Sequence, residues 1–383
     1  ILVSNIIDKL PAPIYNQLTN SVLFDCQLSD NFYQMQIKPI IDSRYSMYYA
    51  TPEYYANRFP KLSRSTDIVS MDVHDTVEWI LPSVARVFVG AEKVINISGE
   101  TPADEPKAEI MSQLISWQLT RHNYWFRLIT DWAKDGLISG LGIVKCTWDR
   151  QYVHKDIEEI ISLEALQQVI ASGSEIIEIA ELPTIPGMAR VKWRETQYEK
   201  NAPRLENIPI YEFRWTEGYR NLEQCPFVAH KKRVTMSYLR QRALDGIFNN
   251  VEKIRGGLLT EIPDPIFDNT NDGAIQAATQ QQEPRLEVDL YECYGQYDIN
   301  GDGVLENCIV WFCQQQMLRV EENPYGRHPF FTWAPLREPH RILPTCGFVD
   351  ILSEIQDVKT ALTRQILINV GLSNDPRMVV SED

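Results

Sequence analysis

The sequence predicts an α+β protein built from several regions, with long helices around a smaller β-rich block. Three observations carry this prediction. The chain has 383 residues, which is too many for one compact core and indicates two or three domains. Apolar residues recur every three or four positions over 69–87 and again over 351–370, the spacing of amphipathic helices. Between 286 and 312 the pattern changes to alternation, which indicates β-strands.

The first 90 residues are expected to contain at least one long helix. Residues 1–60 mix polar and aromatic side chains, so helix and loop are both possible there. After Thr66 an apolar stripe predicts an amphipathic helix, and Pro82 inside it predicts a kink or a junction of two helices. The stripe consists of Val69, Val73, Val77, Ile80, Val84 and Val87.

Residues 61–255 combine helices with strands. A second helical region runs from Asp104 to Gly140 with a break at Asn123, and Gly142 follows before a strand at 143–148. The other predicted elements are a short helix between Ser162 and Gly173, strands near 190–193 and 208–213, and a short helix from Thr235, its N-cap, to Asp245.

The remaining chain divides into three regions. Residues 256–286 are rich in Pro, Asp, Asn and Gln without a hydrophobic period, which predicts a mobile linker or an exposed loop. Residues 287–345 are predicted to be β-rich, with a turn at 300–303. Residues 346–383 are predicted to form a long helix, and the chain is expected to continue beyond them. The apolar stripe of this helix consists of Ile351, Ile355, Val358, Leu362, Ile366 and Val370.

Composition limits the partners of the chain. The formal net charge is −15, from 52 acidic and 37 basic residues. Tight DNA binding requires clustered Lys and Arg that neutralise phosphates, so any contact with DNA is expected to be local or weak. No run of about 18 apolar residues occurs, so no membrane-spanning helix is predicted. The seven cysteines are scattered without a CxxC pair, which indicates reduced thiols.

The segment 298–306 resembles the first half of a calcium-binding loop. Asp298, Asn300 and Asp302 supply oxygen atoms at alternate positions, and Glu306 could complete a weak calcium site. The closing glutamate of such loops is missing, because Ile309 stands at its position. The favoured alternative is a tight β-turn in which glycines adopt positive φ. A calcium-dependent binding module centred on this loop is therefore one alternative function.

Two groups of basic residues are candidates for contact with a phosphate backbone or another subunit. Lys231, Lys232 and Arg233 form the densest basic run, and the alternative is a solvated strand end. Lys359 and Arg364 lie away from the apolar stripe of the last helix, and the alternative is a solvated helix face.

Motifs for catalysis are missing from the sequence. It contains no GxSxG, P-loop, GxGxxG or HExxH pattern. We therefore expect neither an enzyme nor a bound cofactor, apart from the weak calcium site. A DNA-processing enzyme would need carboxylates from distant segments, such as Asp131, Asp135 and Asp149, and this alternative stays open.

Several segments between about residues 60 and 380 keep a familiar order and spacing. They are 64–69 (RSTDIV), 77–84 (VEWILPSV), 135–143 (DGLISGLGI) with Lys145 and Trp148, 208–213 (IPIYEF), 235–239 (TMSYL), 298–303 (DINGDG) and 347–351 (GFVDI). Together they resemble the portal, or head-to-tail connector, family of short-tailed double-stranded DNA phages. Ser63 precedes Arg64 where glycine is common in the family, and family members usually extend beyond this chain's end.

The resemblance implies a portal-like fold assembled as a ring of twelve subunits around a channel for DNA packaging and ejection. Residues 1–60 would be an N-terminal wing segment, 61–255 a wing and stem region, 287–345 the clip, and 346–383 a stem or wing helix. The implied partners are the terminase large subunit, the tail adaptor, the major capsid protein and non-specific double-stranded DNA. The implied location is the capsid vertex of the virion, after assembly in the bacterial cytoplasm. An isolated subunit is expected to leave apolar surface uncovered.

Overall fold

The computed structural model describes residues 5–7, 10–60, 66–90, 94–162, 165–167, 170, 175–181, 188–256, 283–337 and 346–374. The chain divides into two compact units, and both contain helices and strands, which confirms the α+β class. Unit 1 comprises Ile1–Glu92, Phe126–Lys145 and Glu206–Asp383, and unit 2 comprises Lys93–Trp125 and Cys146–Leu205.

The described helices account for most of the predicted helical regions. In chain order they are α1 (Ala12–Phe32), α2 (Lys38–Tyr48), α3 (Pro52–Arg58), α4 (Asp72–Val89), α5 (Glu105–His122), α6 (Trp125–Ser139), α7 (Met236–Leu244) and α8 (Phe348–Asn374). A π-helical turn, Tyr33–Ile37, joins α1 to α2. The N-terminal region is therefore largely helical.

Local sequence signals correctly predicted several of these helix ends. The break at Asn123 is confirmed, since α5 ends at His122 and Tyr124 has a positive φ of 47° before α6. The N-cap at Thr235 is also confirmed, because its hydroxyl accepts a hydrogen bond from Tyr238 N at 3.3 Å. The two-helix alternative at Pro82 is wrong, because α4 continues through that residue.

Unit 1 is built on a five-stranded antiparallel sheet with the order β4-β5-β6-β7-β8. The strands of the chain are β1 (Gly142–Ser162), β2 (Glu175–Glu181), β3 (Met188–Ile208), β4 (Phe213–Trp215), β5 (Phe227–Thr235), β6 (Glu287–Tyr297), β7 (Glu306–Cys313), β8 (Gln316–Glu322) and β9 (Phe330–Trp333). The strand β9 pairs with the first residues of β1, Gly142 opposite Trp333 and Lys145 opposite Phe330.

The central strand β6 is buried on both faces. Alternate residues of a strand point to opposite sides of the sheet. Cys293 packs on the α1 side against Cys26, whereas Val288 and Leu290 pack on the other side with Met236 of α7. The sheet is consequently enclosed by helices rather than presented to solvent.

The described strands of the β-rich block at 287–345 lie in unit 1 together with β5. Residues 257–282 lie outside the described residues, yet β5 before them pairs with β6 after them, from Phe227 opposite Gly295 to Thr235 opposite Glu287. Strand pairing between distant segments leaves no local mark in a sequence. The block predicted as a clip therefore shares its sheet with β5, which precedes residues 257–282 in the chain.

Unit 2 contains α5 and a sheet with the order β2-β3-β1. Val191 and Trp193 of β3 form its small buried core. Asn123 fixes the end of β3, because its Nδ2 donates to Pro203 O at 2.9 Å and its Oδ1 accepts from Leu205 N at 2.8 Å. The predicted helix between Ser162 and Gly173 lies partly outside the described residues.

Among the described residues, no helix combines the length and the apolar character that crossing a membrane would need.

Asp135 links three elements of unit 1. Tyr45 Oη on α2 donates to Oδ1 of Asp135 on α6 at 3.2 Å, and Asn207 Nδ2 near the end of β3 donates to Oδ2 at 2.7 Å. Burial raises the pKa of Asp135 to about 6, and the two hydrogen bonds oppose that rise only in part. A raised pKa means that the fold prefers the neutral acid and loses stability as the pH rises from about 4 through 6.

We expect Asp135→Asn, which mimics the neutral acid, to gain stability relative to the wild type as the pH rises from 4.5 to 7.5. The gain should be on the order of 2 kcal/mol. Urea unfolding of both proteins at the two pH values measures it. Asp67→Asn, which replaces an exposed carboxylate elsewhere in unit 1, is the control and should give the same small difference at both. A pH-independent effect of Asp135→Asn would contradict the assignment.

Candidate assembly surface

The helix α8 has its polar side inward and its apolar side outward. The predicted apolar stripe is real, but each of its six residues is 50–60% exposed. We call this set, Ile351, Ile355, Val358, Leu362, Ile366 and Val370, the outer stripe. The buried residues of α8 are Val349, Gln356, Thr360 and Arg364. Three of these four are polar, which reverses the usual pattern of a helix on a protein surface.

Gln356 is the centre of the inner face and is fully buried. Its Oε1 accepts a hydrogen bond from Val73 N at 2.8 Å. Its Nε2 donates to Met47 O at 2.9 Å and to Tyr55 Oη at 2.6 Å. The first N–H groups and last C=O groups of a helix have no partner within that helix. A single amide side chain therefore serves the beginning of α4 and the end of α2.

The same face continues toward the C-terminal end of α8. Thr360 Oγ1 accepts from Ser70 N at 3.1 Å, and Arg364 Nε donates to Ile68 O at 2.8 Å. The inner side of α8 is thus attached to backbone groups of 68–73 at successive turns. Arg364 is fully buried, which corrects the expectation that it faces DNA or another subunit.

Ion pairs secure the edges of α8. At its N-terminal end, Arg44 of α2 binds Asp350 through two nitrogens, with Nη2 to Oδ2 at 2.7 Å. Arg44 also donates to Ser139 O at the end of α6. Lys359 is exposed and pairs with Asp72 at the start of α4, so a contact with DNA or a subunit stays a prediction for this residue.

The outer stripe spans about 29 Å along the helix, at 1.5 Å per residue. Single apolar residues on a surface are ordinary, but a continuous exposed row of them marks an interaction surface. Burial of a Val, Leu or Ile side chain stabilises an interface by about 1.5–3 kcal/mol before the costs of association. Six such residues on a helix that is already anchored can therefore supply a stable contact.

The basic run at the end of β5 is placed differently from the sequence expectation. Lys231 is only 5% exposed and lies 3.5 Å from Asp289 Oδ2 and 4.0 Å from Asp30 Oδ1. This placement corrects the expectation that Lys231 contacts DNA or another subunit. Lys232 and Arg233 are about one-third exposed and lie near Glu292 and Glu287; their role in binding stays a prediction.

The loop between β6 and β7 is held by its own side chains. Asp298 accepts from Gly301 N at 2.6 Å and from Gly303 N at 2.9 Å, and both glycines have positive φ. Asp302 Oδ1 accepts from Val304 N, and Glu306 Oε2 from Ile299 N. These bonds favour the turn, because the oxygens proposed as calcium ligands already bind backbone N–H groups. Calcium binding here stays an untested prediction.

The carboxylates of the enzyme alternative are divided between the two compact units. Asp131 and Asp135 belong to unit 1, whereas Asp149 belongs to unit 2 and pairs with Lys200 at 3.1 Å. Within the described part of the chain, no three His, Cys, Asp or Glu side chains are grouped so that they could hold a metal ion. No observation favours a DNA-processing enzyme.

Several residues in the segments of resemblance have structural roles that sequence reasoning missed. Lys145 is buried and donates to Glu292 at 2.6 Å. Burial alone would raise the pKa of Glu292. The positive charges of Lys145 and Lys232 and the Tyr294 hydroxyl outweigh this effect, so the pKa of Glu292 lies well below its usual range. A side chain on Gly142 would collide with Trp132 O at 2.7 Å. The only sequence signal for these roles was that Lys145 and Gly142 lie in the segments that resemble the portal family.

We expect Gln356→Ala to destabilise the fold by about 2–4 kcal/mol, because it leaves buried groups on α2, α3 and α4 without their partner. Chemical denaturation measures the change. The control is Gln365→Ala, an exposed glutamine on the same helix, which should change stability by less than about 0.5 kcal/mol. Equal effects of the two substitutions would show that α8 is not attached through its polar side.

Comparison with known families agrees with the resemblance found in the sequence. The family model of the phage SU10 portal protein matches residues 18–383. The match runs from residue 18, within α1, through α8, and so includes the inner face of α8 and its outer stripe. The chain therefore belongs to the phage SU10 portal protein family.

Proposed function

We propose that this portal protein assembles head to tail with copies of itself into a ring of twelve subunits, through which double-stranded DNA is packaged and later ejected. The observation that carries the proposal is the outer stripe of α8. Its apolar residues are exposed although the inner side of the same helix is fully anchored. A neighbouring copy would cover this surface, as expected for a subunit that is incomplete alone.

The charge of the chain supports a role as a conduit. The net charge is −15, and the densest basic run lies beside carboxylates of the same chain. Each phosphate that a protein neutralises adds affinity for DNA and so resists sliding. A ring of such subunits would let DNA move in either direction without strong attachment.

The remaining roles in the proposal follow from the family. The ring would occupy one capsid vertex and contact the major capsid protein. It would bind the terminase large subunit during packaging and the tail adaptor afterwards, and assembly would take place in the bacterial cytoplasm. The ring itself would not be an enzyme, because the terminase supplies the motor chemistry.

The mass of the full chain in solution tests the ring directly. We expect a species close to twelve times the 44.3 kDa chain, measured by native mass spectrometry or by light scattering after gel filtration. A species that stays monomeric over the micromolar range would contradict the proposal.

A triple substitution tests whether the outer stripe holds the ring. Val358→Gln, Leu362→Gln and Ile366→Gln together should abolish the ring and leave a folded monomer, because the three side chains are exposed within the chain. The matched control is Leu244→Gln, Val304→Gln and Leu305→Gln, three exposed apolar residues of unit 1 on other elements. A ring that survives the first triple substitution, or is lost only with the second, would show that copies meet elsewhere.

A further inference from the structure

A head-to-tail ring needs a second surface on each subunit, different from the first, to receive the outer stripe of the next copy. We propose that this surface is the exposed side of α1, the π-helical turn and the start of α2, residues 12–40, which we call the amide-rich face. The inference rests on the proposed self-assembly, and it identifies the second of the two contact surfaces on each subunit. Both surfaces belong to unit 1.

The amide-rich face has no exposed charged side chain. Every exposed residue between 12 and 40 is uncharged, and most of them are Asn, Gln or Pro. The three charged residues of the stretch are partly buried. Of these, Asp25 accepts from Tyr297 Oη at 2.9 Å, and Asp30 binds Arg214 Nε at 2.6 Å. Surfaces of proteins normally carry about 25–35% charged residues, so a charge-free helix side of this length is unusual.

Apolar side chains interrupt the amides at helical spacing. Phe24, Leu28 and Met35 are 64%, 47% and 79% exposed, at spacings of four and seven residues. The opposite side of α1, including Val22 and Cys26, is committed to the sheet. The π-helical turn places Gln34, Met35 and Gln36 at the surface in succession. The centres of protein interfaces are depleted of charge and enriched in aromatic residues and Met, which this face matches.

The net charge of the chain indicates why another copy of the chain would cover the amide-rich face. Copies that each carry −15 repel one another, so they approach best through surfaces without charge. The second half of the outer stripe meets the same condition. From Leu362 to Asn374 the only charged residue is Arg364, which is buried. Contact between these two surfaces therefore desolvates few ions, the exposed Glu217 beside Gln36 being one at the border.

The outer side of α5 in unit 2 is the strongest rival surface. It exposes Ile110, Met111, Leu114 and Trp117. Exposed charges stand among them, however, including Lys107, Glu109 and Arg121. Contact there would require these ions to be desolvated or paired, so the charge-free face on α1 is favoured.

Opposite charges introduced on the two surfaces test whether the amide-rich face contacts the outer stripe. Phe24→Lys with Leu28→Lys should reduce the ring about tenfold or more at fixed concentration, as should Leu362→Glu with Ile366→Glu. Combining the two pairs should recover most of the loss, because opposite charges would then face each other. Native mass spectrometry quantifies the ring, and thermal unfolding checks that every variant is folded. Met35→Lys adds a milder test, since this side chain is 79% exposed and its replacement cannot disturb the core.

The outcomes separate this inference from the proposed function. A wild-type chain without a ring would refute the self-assembly itself. A wild-type ring that is unaffected by the α1 substitutions, or not recovered in the combined variant, would overturn only the amide-rich face. Met111→Lys with Leu114→Lys on α5 should leave the ring intact, and its loss in that variant would assign the contact to unit 2.

Discussion

The attachment of α8 through Gln356, Thr360 and Arg364 determines what the rest of unit 1 can do. These side chains bind backbone groups at the end of α2, before α4 and at the start of α4. Hydrogen bonds of this kind contribute about 1 kcal/mol each when made but cost more when one partner is removed. They therefore position α8 strictly while leaving its outer stripe exposed. The helix is both firmly held and free to contact a second molecule.

The distribution of charge complements this arrangement. Charged groups inside unit 1 are paired within the chain, as with Lys145 and Glu292 or Arg214 and Asp30. The amide-rich face and the second half of the outer stripe have no exposed charged residue of their own, although the whole chain is strongly acidic. In the proposed ring, acidity elsewhere would keep the channel from holding DNA, and the lack of charge at the contacts would let acidic copies approach. One composition would thus satisfy both requirements of the proposed ring.

Sequence reasoning predicted much of the local structure. Helical periodicity and capping predicted most of α4, the break at Asn123, the cap at Thr235 and the existence of α8, although α4 begins at Asp72, after the first residue of the predicted stripe. The pairing of β5 with β6 could not be predicted, because the two strands are separated by a long segment and no local pattern records their register. As a result, the β-rich block looked like an independent region in the sequence.

At the candidate assembly surface, the sequence pattern predicted less than it did for the fold. Periodicity shows that one side of α8 is apolar, but not whether that side meets its own core or another chain. The buried state of Arg364 and Lys231 has the same origin, since a basic residue in a sequence gives no sign of the carboxylate or carbonyl that will cover it. The family resemblance indicated which alternative to expect, because a subunit of an assembly can expose an apolar stripe that a neighbouring subunit covers.

The most direct test of this account is an electron cryomicroscopy structure of the assembled chain. We predict that the outer stripe of α8, from Ile351 to Val370, is covered by the neighbouring copy, while Gln356 keeps its bonds to Met47 and Val73 of its own chain. An assembly in which the stripe faces solvent, or in which α8 turns over and buries the stripe against its own unit 1, would contradict it.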